Sequence, residues 1–187
     1  MLLQPGAPLR GRFEEEDLHG ASMVFAMRRI GLLSLLLTLV IAPAASARTL
    51  DIPNHFATQI QRAHAQTQVP ILLPTTFRSD FRRHFPEGRA RPNAWRFDIG
   101  AVKDCDGAGA CFVAEFRGVH GRSPSAPRTL RLTRGRTGYY RPSKCGASCA
   151  PPVLQWRERH ALYTIEAKTT RRELVRMANS AIRNGPR

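Results

Sequence analysis

Met27-Arg28-Arg29, the apolar run Ile30 to Ile41, Pro43 and Ala45-Ser46-Ala47 set the conditions under which the rest of this chain folds. A short basic start, an apolar stretch and a small-x-small site are the three parts of a secretory signal peptide. The run is too short to span about 30 Å of hydrocarbon, which takes roughly 20 apolar residues. Cleavage is expected after Ala47, leaving a chain from Arg48 to Arg187 with no transmembrane anchor. The expected location is therefore periplasmic or secreted, an oxidising compartment. Arg28-Arg29 lacks the polar context of twin-arginine export, and no cysteine directly follows Ala47 to take a lipid.

Residues 1–22 carry Pro5, Pro8 and Glu14-Glu15-Glu16-Asp17 without apolar periodicity. With Met23 and Met27 just ahead of the signal, they read as an extension outside the domain: a start placed too early, or a disordered segment. An uncleaved anchor behind a cytosolic extension is the competing account. The organisation expected is thus 1–22 extension, 23–47 signal peptide and 48–187 one disulfide-containing α+β domain, a length that supports its own core.

Export makes the four cysteines, Cys105, Cys111, Cys145 and Cys149, a disulfide framework. Local pairing, Cys105 with Cys111 and Cys145 with Cys149, is expected because each pair brackets a Gly/Ala-rich turn. Loops of this size contribute about 2 kcal/mol each by loop entropy, and a Cys105–Cys145 link about 4, so energy alone does not choose. The x5 and x3 spacings are poor matches to zinc knuckles, and no metal or other cofactor is expected.

The period of the apolar residues changes along the domain. Ile52, Phe56, Ile60 and Ala63 recur at helical spacing over 53–66, and Val69 to Pro74 reads as a short extended segment at a sheet edge. Phe77 to Pro92, basic and broken by Pro and Gly, reads as a loop. Trp95, Phe97, Ile99 and Ala101 then alternate with Arg96, Asp98 and Gly100, and Phe112, Ala114 and Phe116 with Glu115 and Arg117. These two half-buried strands form a hairpin with the first cysteine pair at its mouth. Gly118 to Arg128 is a loop, Leu130 and Leu132 mark a third strand, and 153–157 with 162–166 make a second hairpin. Thr170-Arg171-Arg172-Glu173 has the form of a capping box, and Leu174, Met177, Ala178, Ala181 and Ile182 give the helix behind it an apolar face. The expected fold is α+β: an antiparallel β-meander with an N-terminal and a C-terminal helix packed on one face, in two layers.

Three runs, 105–111, 138–149 and 174–181, taken with Trp156 and Tyr163, resemble a group of uncharacterised exported bacterial proteins. Their order is more distantly similar to envelope domains related in shape to lipoprotein carriers. The resemblance implies an envelope domain over about 69–185 and transfers no catalytic residue.

Residues before Arg48 hold four basic and four acidic side chains, so the exported part keeps the whole net charge of +15, with 22 Arg and 3 Lys. Such a field concentrates anionic partners. Arg172, Arg176 and Arg183 form a stripe on the last helix, with Asn179 between them, and Arg131, Arg134, Arg136, Arg141 and Lys144 cluster in sequence as its expected extension. Guanidiniums there would grip phosphate or carboxylate through forked hydrogen bonds, whereas the alternative is an ordinary solvated helix face. Tyr139 and Tyr140 are too few aromatics for a nucleic-acid reader. Ser148 lacks a nucleophile frame, and Asp104 and Asp106 suit a turn. His55, His64, His84, His120 and His160 show no metal-binding spacing. The expected function is that of an exported binding or accessory module contacting anionic envelope lipid or polysaccharide. A carrier of a small apolar ligand and an envelope-acting hydrolase are the alternatives. Oligomeric state is left open.

Overall fold

A computed structural model of the chain describes residues 47–105, 109–146 and 148–187. The expected extension and all of the signal peptide before Ala47 lie outside the described residues, as do Asp106 and Ala147. The described residues belong to one compact unit built around a seven-stranded antiparallel sheet with a few helices, an α+β composition.

The N-terminal strand β1 (Arg48–Asp51) pairs with β2 (Thr76–Ser79), placing Leu50 opposite Phe77. Asp51 then caps the first helix, α1 (Ile52–His55), by accepting from the Asn54 amide at 3.1 Å. The helix expected over 53–66 is found in two pieces, because Phe56 leaves helical geometry before α2 (Ala57–His64). Phe56 instead stacks on Phe97 at 5.2 Å between ring centroids and meets Phe116 edge-on at 6.1 Å.

The segment 69–74 is not a sheet edge. It forms no strand, and Val69, Ile71, Leu72 and Leu73 are buried. Its Pro70 carbonyl accepts from the Trp95 indole at 3.1 Å and the Tyr163 hydroxyl at 3.0 Å. Two side chains thus satisfy a backbone group that a ladder would otherwise have used.

The loop expected over 77–92 is largely extended. β2 occupies its start and β3 (Phe85–Arg91) its end. β3 is an edge strand, where Pro86 costs no ladder bond, and this explains why the punctuation misleads. The remaining strands are β4 (Ala94–Gly100), β5 (Phe112–His120), β6 (Arg128–Arg131), β7 (Thr137–Arg141), β8 (Lys144–Cys145), β9 (Cys149–Ala150), β10 (Val153–Glu158) and β11 (Ala161–Ala167). The large sheet runs β3-β4-β5-β11-β10-β7-β6. It is therefore two meanders, joined where β5 pairs with β11, rather than one. The chain leaves β5 near the middle of the sheet and rejoins it as β6 at the far edge.

Both disulfides pair locally. Cys105–Cys111 closes the β4–β5 turn with its Cα atoms 5.8 Å apart, just outside the strands rather than within them. Cys145–Cys149 closes the small β8–β9 hairpin that interrupts the passage from β7 to β10.

The last helix, α3 (Arg171–Asn184), packs against β10 and β11 with Leu174, Met177, Ala178, Ala181 and Ile182 buried. Half of the expected capping box forms: the Thr170 hydroxyl accepts from the Glu173 amide at 3.2 Å. The Glu173 carboxylate turns instead to Arg176.

Candidate anion-binding cleft

Strand register sorts the large sheet into two unlike faces. One carries Trp95, Phe97 and Ile99 of β4, Ala114 and Phe116 of β5, Tyr163 and Ile165 of β11, and Leu154 and Trp156 of β10, all at most 1% exposed. These side chains, with Phe56, Ile71, Leu73 and Phe77, belong to one packed core cluster.

The other face is ordered in rows across the strands. Glu87, Asp98, Glu115 and Glu166 stand in register on four adjacent strands, β3, β4, β5 and β11. One step along, Arg89, Arg96 and Arg117 align on β3, β4 and β5, and the row continues as Thr164 on β11 and Gln155 on β10. A further step gives Arg91, Ala94, Val119 and Leu162, then Arg157. Adjacent strands lie about 4.8 Å apart, so each row places like side chains side by side. A row of like charges is costly unless its neighbour compensates, and here the carboxylate row does so.

The contacts follow that logic. Arg96 reaches Glu115 at 3.0 Å and Asp98 at 2.9 Å, and Arg117 approaches Glu115 at 3.6 Å. Desolvation opposes the Arg96 charge, but Glu115 and Asp98 outweigh it and hold its pKa above the ordinary value. Burial raises Asp98, against the lowering influence of Arg96, and burial likewise raises Glu166. The side chains of Glu115 and Asp98 are 9% and 14% exposed, those of Arg96 and Arg117 about 40% and 41%. The acids form a partly buried foundation beneath guanidiniums that still face solvent.

Residues 121–127, which connect β5 to β6, wall this cleft. Gly121 starts the turn at φ 71°, and Gln155 Oε1 accepts from the amides of Ser125 at 2.9 Å and Ala126 at 3.1 Å. The cleft so enclosed holds about 680 Å³. Arg89, Arg91, Arg96, Arg117 and Arg122 surround it, Ala94, Val119 and Leu162 give it an apolar floor, and Ser123, Ser125 and Gln155 lie at the strap. Neither the Arg91 nor the Arg122 side chain has a hydrogen bond or ion pair among the described residues. Five guanidiniums converge on a hollow large enough for a small molecule, the arrangement that fork-to-fork recognition of phosphate or carboxylate uses.

The basic residues singled out from sequence are dispersed. Arg176 is committed to the fold: it binds the Glu173 carboxylate and donates to Thr76 Oγ1 and the Thr76 carbonyl, both at 3.0 Å. Glu173 is held below the usual carboxylate range, first by the hydrogen bond from Arg176. Asn179 accepts from the Thr133 amide at 2.7 Å, so the helix stripe is not a continuous solvated face. Arg172 and Arg183 are exposed on α3, Arg131 on the edge strand β6, and Lys144 in the β8 hairpin. Arg141 ends the carboxylate row through Val153 and partly offsets the rise that burial imposes on the Glu166 pKa. The cleft arginines on β4 and β5 are legible in the sequence only as the polar halves of two alternating strands, and those on β3 fall in what reads as a loop.

Two other clusters bear on chemistry. The His84 ring nitrogen lies 2.9 Å from Ser79 Oγ, and His55 and His84 approach to 6.3 Å between centroids. Ser79 is buried, the Phe81 amide also donates to it, and no carboxylate among the described residues orients the pair. A second cavity of about 440 Å³ meets His120, His160, Glu158 and Tyr163. There Glu158 is held by Arg136, and the Tyr163 hydroxyl is buried, which pushes its pKa up, and donates to Pro70. Among the described residues, no three His, Cys, Asp or Glu side chains are grouped to hold a metal ion, and no helix is long and apolar enough to cross a membrane. Comparison with family models, with curated proteins and with solved structures finds no match to this chain.

Proposed function

We propose that this protein is an exported binding module that takes hold of anionic components of the cell envelope on the arginine-bearing face of its sheet. In this reading the domain is two-layered. The N-terminal helices α1 and α2 and the C-terminal helix α3 back the aromatic face, and the opposite face is left for ligand. The observation that carries it is the convergence of five arginines on one cleft in a chain of net charge +15. The more scattered cations, Arg131, Arg141, Lys144, Arg172 and Arg183, would add a long-range field that speeds encounter.

The full chain mixed with vesicles tests this directly. Binding should appear with anionic lipid or lipopolysaccharide, be absent with zwitterionic lipid, and fall steeply with added salt, because exposed charges are screened beyond about 8 Å at physiological ionic strength. Salt-independent binding, or none, overturns the proposal.

A further inference from the structure

The cleft is more particular than a basic surface, and the inference below rests on the reading just given while narrowing it. Of the five arginines, Arg96 and Arg117 already face Glu115 and Asp98, and Asp98 also feels Arg89. Arg91 on β3 and Arg122 on the strap stand at the same hollow with no partner among the described residues. These two guanidiniums, outside every ion pair of the described residues, are a surplus of two positive charges at a site of small-molecule size. Beside it runs an apolar strip, Ala94, Val119 and Leu162, in register on three adjacent strands. An inorganic anion would leave that strip unused, and a neutral amphiphile would leave two guanidiniums uncompensated.

We infer that the cleft binds a phosphomonoester on an apolar body, with the phosphoryl group between Arg91 and Arg122 and the apolar part laid along Ala94, Val119 and Leu162. A phosphomonoester carries −1.5 to −2 charges near neutral pH and offers three acceptor oxygens, which matches the surplus. A phosphodiester or carboxylate carries one charge and matches half of it. Each guanidinium bound to a charged oxygen strengthens binding about tenfold or more. Each methylene laid on the strip adds up to about fourfold.

Calorimetric titration of the full chain with butyl phosphate, methyl butyl phosphate, inorganic phosphate and butanol separates these possibilities. Butyl phosphate should bind tightest, methyl butyl phosphate about tenfold weaker, and butanol undetectably. Lowering the pH from 7.5 to 5 should weaken the monoester, whose second pKa is about 6, and leave the diester unchanged. Arg91→Gln and Arg122→Gln replace exposed side chains without partners, so the fold should persist, and each should cost about tenfold in monoester affinity. Val119→Ser should remove the gain from chain length while leaving inorganic phosphate unaffected. Equal affinity for monoester and diester, or insensitivity to both arginine variants, overturns the inference.

Vesicles identify the source. If butyl phosphate displaces the chain from vesicles bearing phosphatidic acid, the natural ligand is a lipid headgroup; if both bind without competing, it is a soluble phosphomonoester. Salt-sensitive vesicle binding that ignores Arg91→Gln and Arg122→Gln would sink this inference and leave the broader function standing. No binding to any anionic probe would sink both.

Discussion

Gly118 faces Trp95 across the β4–β5 pairing on the buried side of the sheet. A Cβ there would collide with the indole nitrogen and lie 2.7 Å from Cε2 of the same ring. The indole cannot retreat, since it donates to Pro70 and is 1% exposed. Gly118→Ala should therefore destabilise the protein by about 1–3 kcal/mol, the usual cost of overpacking a filled core, as measured by denaturant unfolding. His55 sets a different constraint. Its pKa is lowered by burial and then by His84, whose own is lowered by burial and by Arg48, and His55 Nε2 is buried without a partner. A depressed histidine favours the neutral form when folded. Stability should accordingly be full above the unfolded value of about 6.5 and fall as pH drops below it. The raised carboxylates Asp98 and Glu166 act in the opposite sense, losing stability as pH rises through the acid range, so wild type alone is a poor test. The comparison that decides is wild type against His55→Leu between pH 7 and 5. The variant should lose less stability on acidification, and parallel curves would refute the assignment.

At the scale of elements, the two disulfides do unequal work although their loops are similar in length. Cys105 is buried at the mouth of the β4–β5 hairpin, where the Ala101 amide also donates to the Cys111 carbonyl at 2.8 Å. Lys168 holds the same turn from beyond β11, donating to the carbonyls of Gly109 at 2.6 Å and Ala110 at 3.1 Å. Cys145 and Cys149 are exposed in a hairpin that, among the described residues, pairs with no other strand. Exposed disulfides reduce more readily. Graded reductant should open Cys145–Cys149 first with little change in unfolding temperature. Loss of Cys105–Cys111 in the paired Ala variant should cost about 2 kcal/mol, the loop-entropy value for so short a ring. Peptide mapping against a melting curve would show whether the order is reversed. The disulfide pairing was readable because each Cys pair encloses small residues that can turn. The β4–β5 and β10–β11 hairpins and α3 were readable for a similar reason, since their periodicity is local. β3 was not, because Pro86 and Gly88 carry turn signals that an edge strand tolerates. The fate of 69–74 was also hidden: a Pro-flanked apolar run suits a sheet edge as well as a buried segment, and only Trp95 and Tyr163, distant in sequence, decide between them.

For the molecule as a whole, the consequential event is the pairing of β5 with β11, which no local pattern announces. It brings Arg117 beside Thr164 and Glu115 beside Glu166, and completes rows whose members come from residues 87 to 166. It also obliges the chain to cross from β5 to the far edge of the sheet, so that residues 121–127 become a strap. Gln155 anchors the crossing. Its side-chain Oε1 accepts from the Ser125 and Ala126 amides, its Nε2 lies 3.5 Å from Thr164 Oγ1, and the residue is 6% exposed. Gln155→Leu keeps the approximate volume but strands two amides. Leaving buried donors unsatisfied costs about 1–3 kcal/mol, yet these two can escape that cost by lifting the strap into water. The expected outcome is a modest loss of global stability, with fast hydrogen exchange confined to Ser125, Ala126 and their neighbours. Because Arg122 rides on this strap, anion affinity should fall with it even though every cleft arginine is intact. If exchange at 125–126 stays slow in the variant, Gln155 does not hold the strap. If the strap loosens and affinity does not change, Arg122 contributes nothing to the cleft.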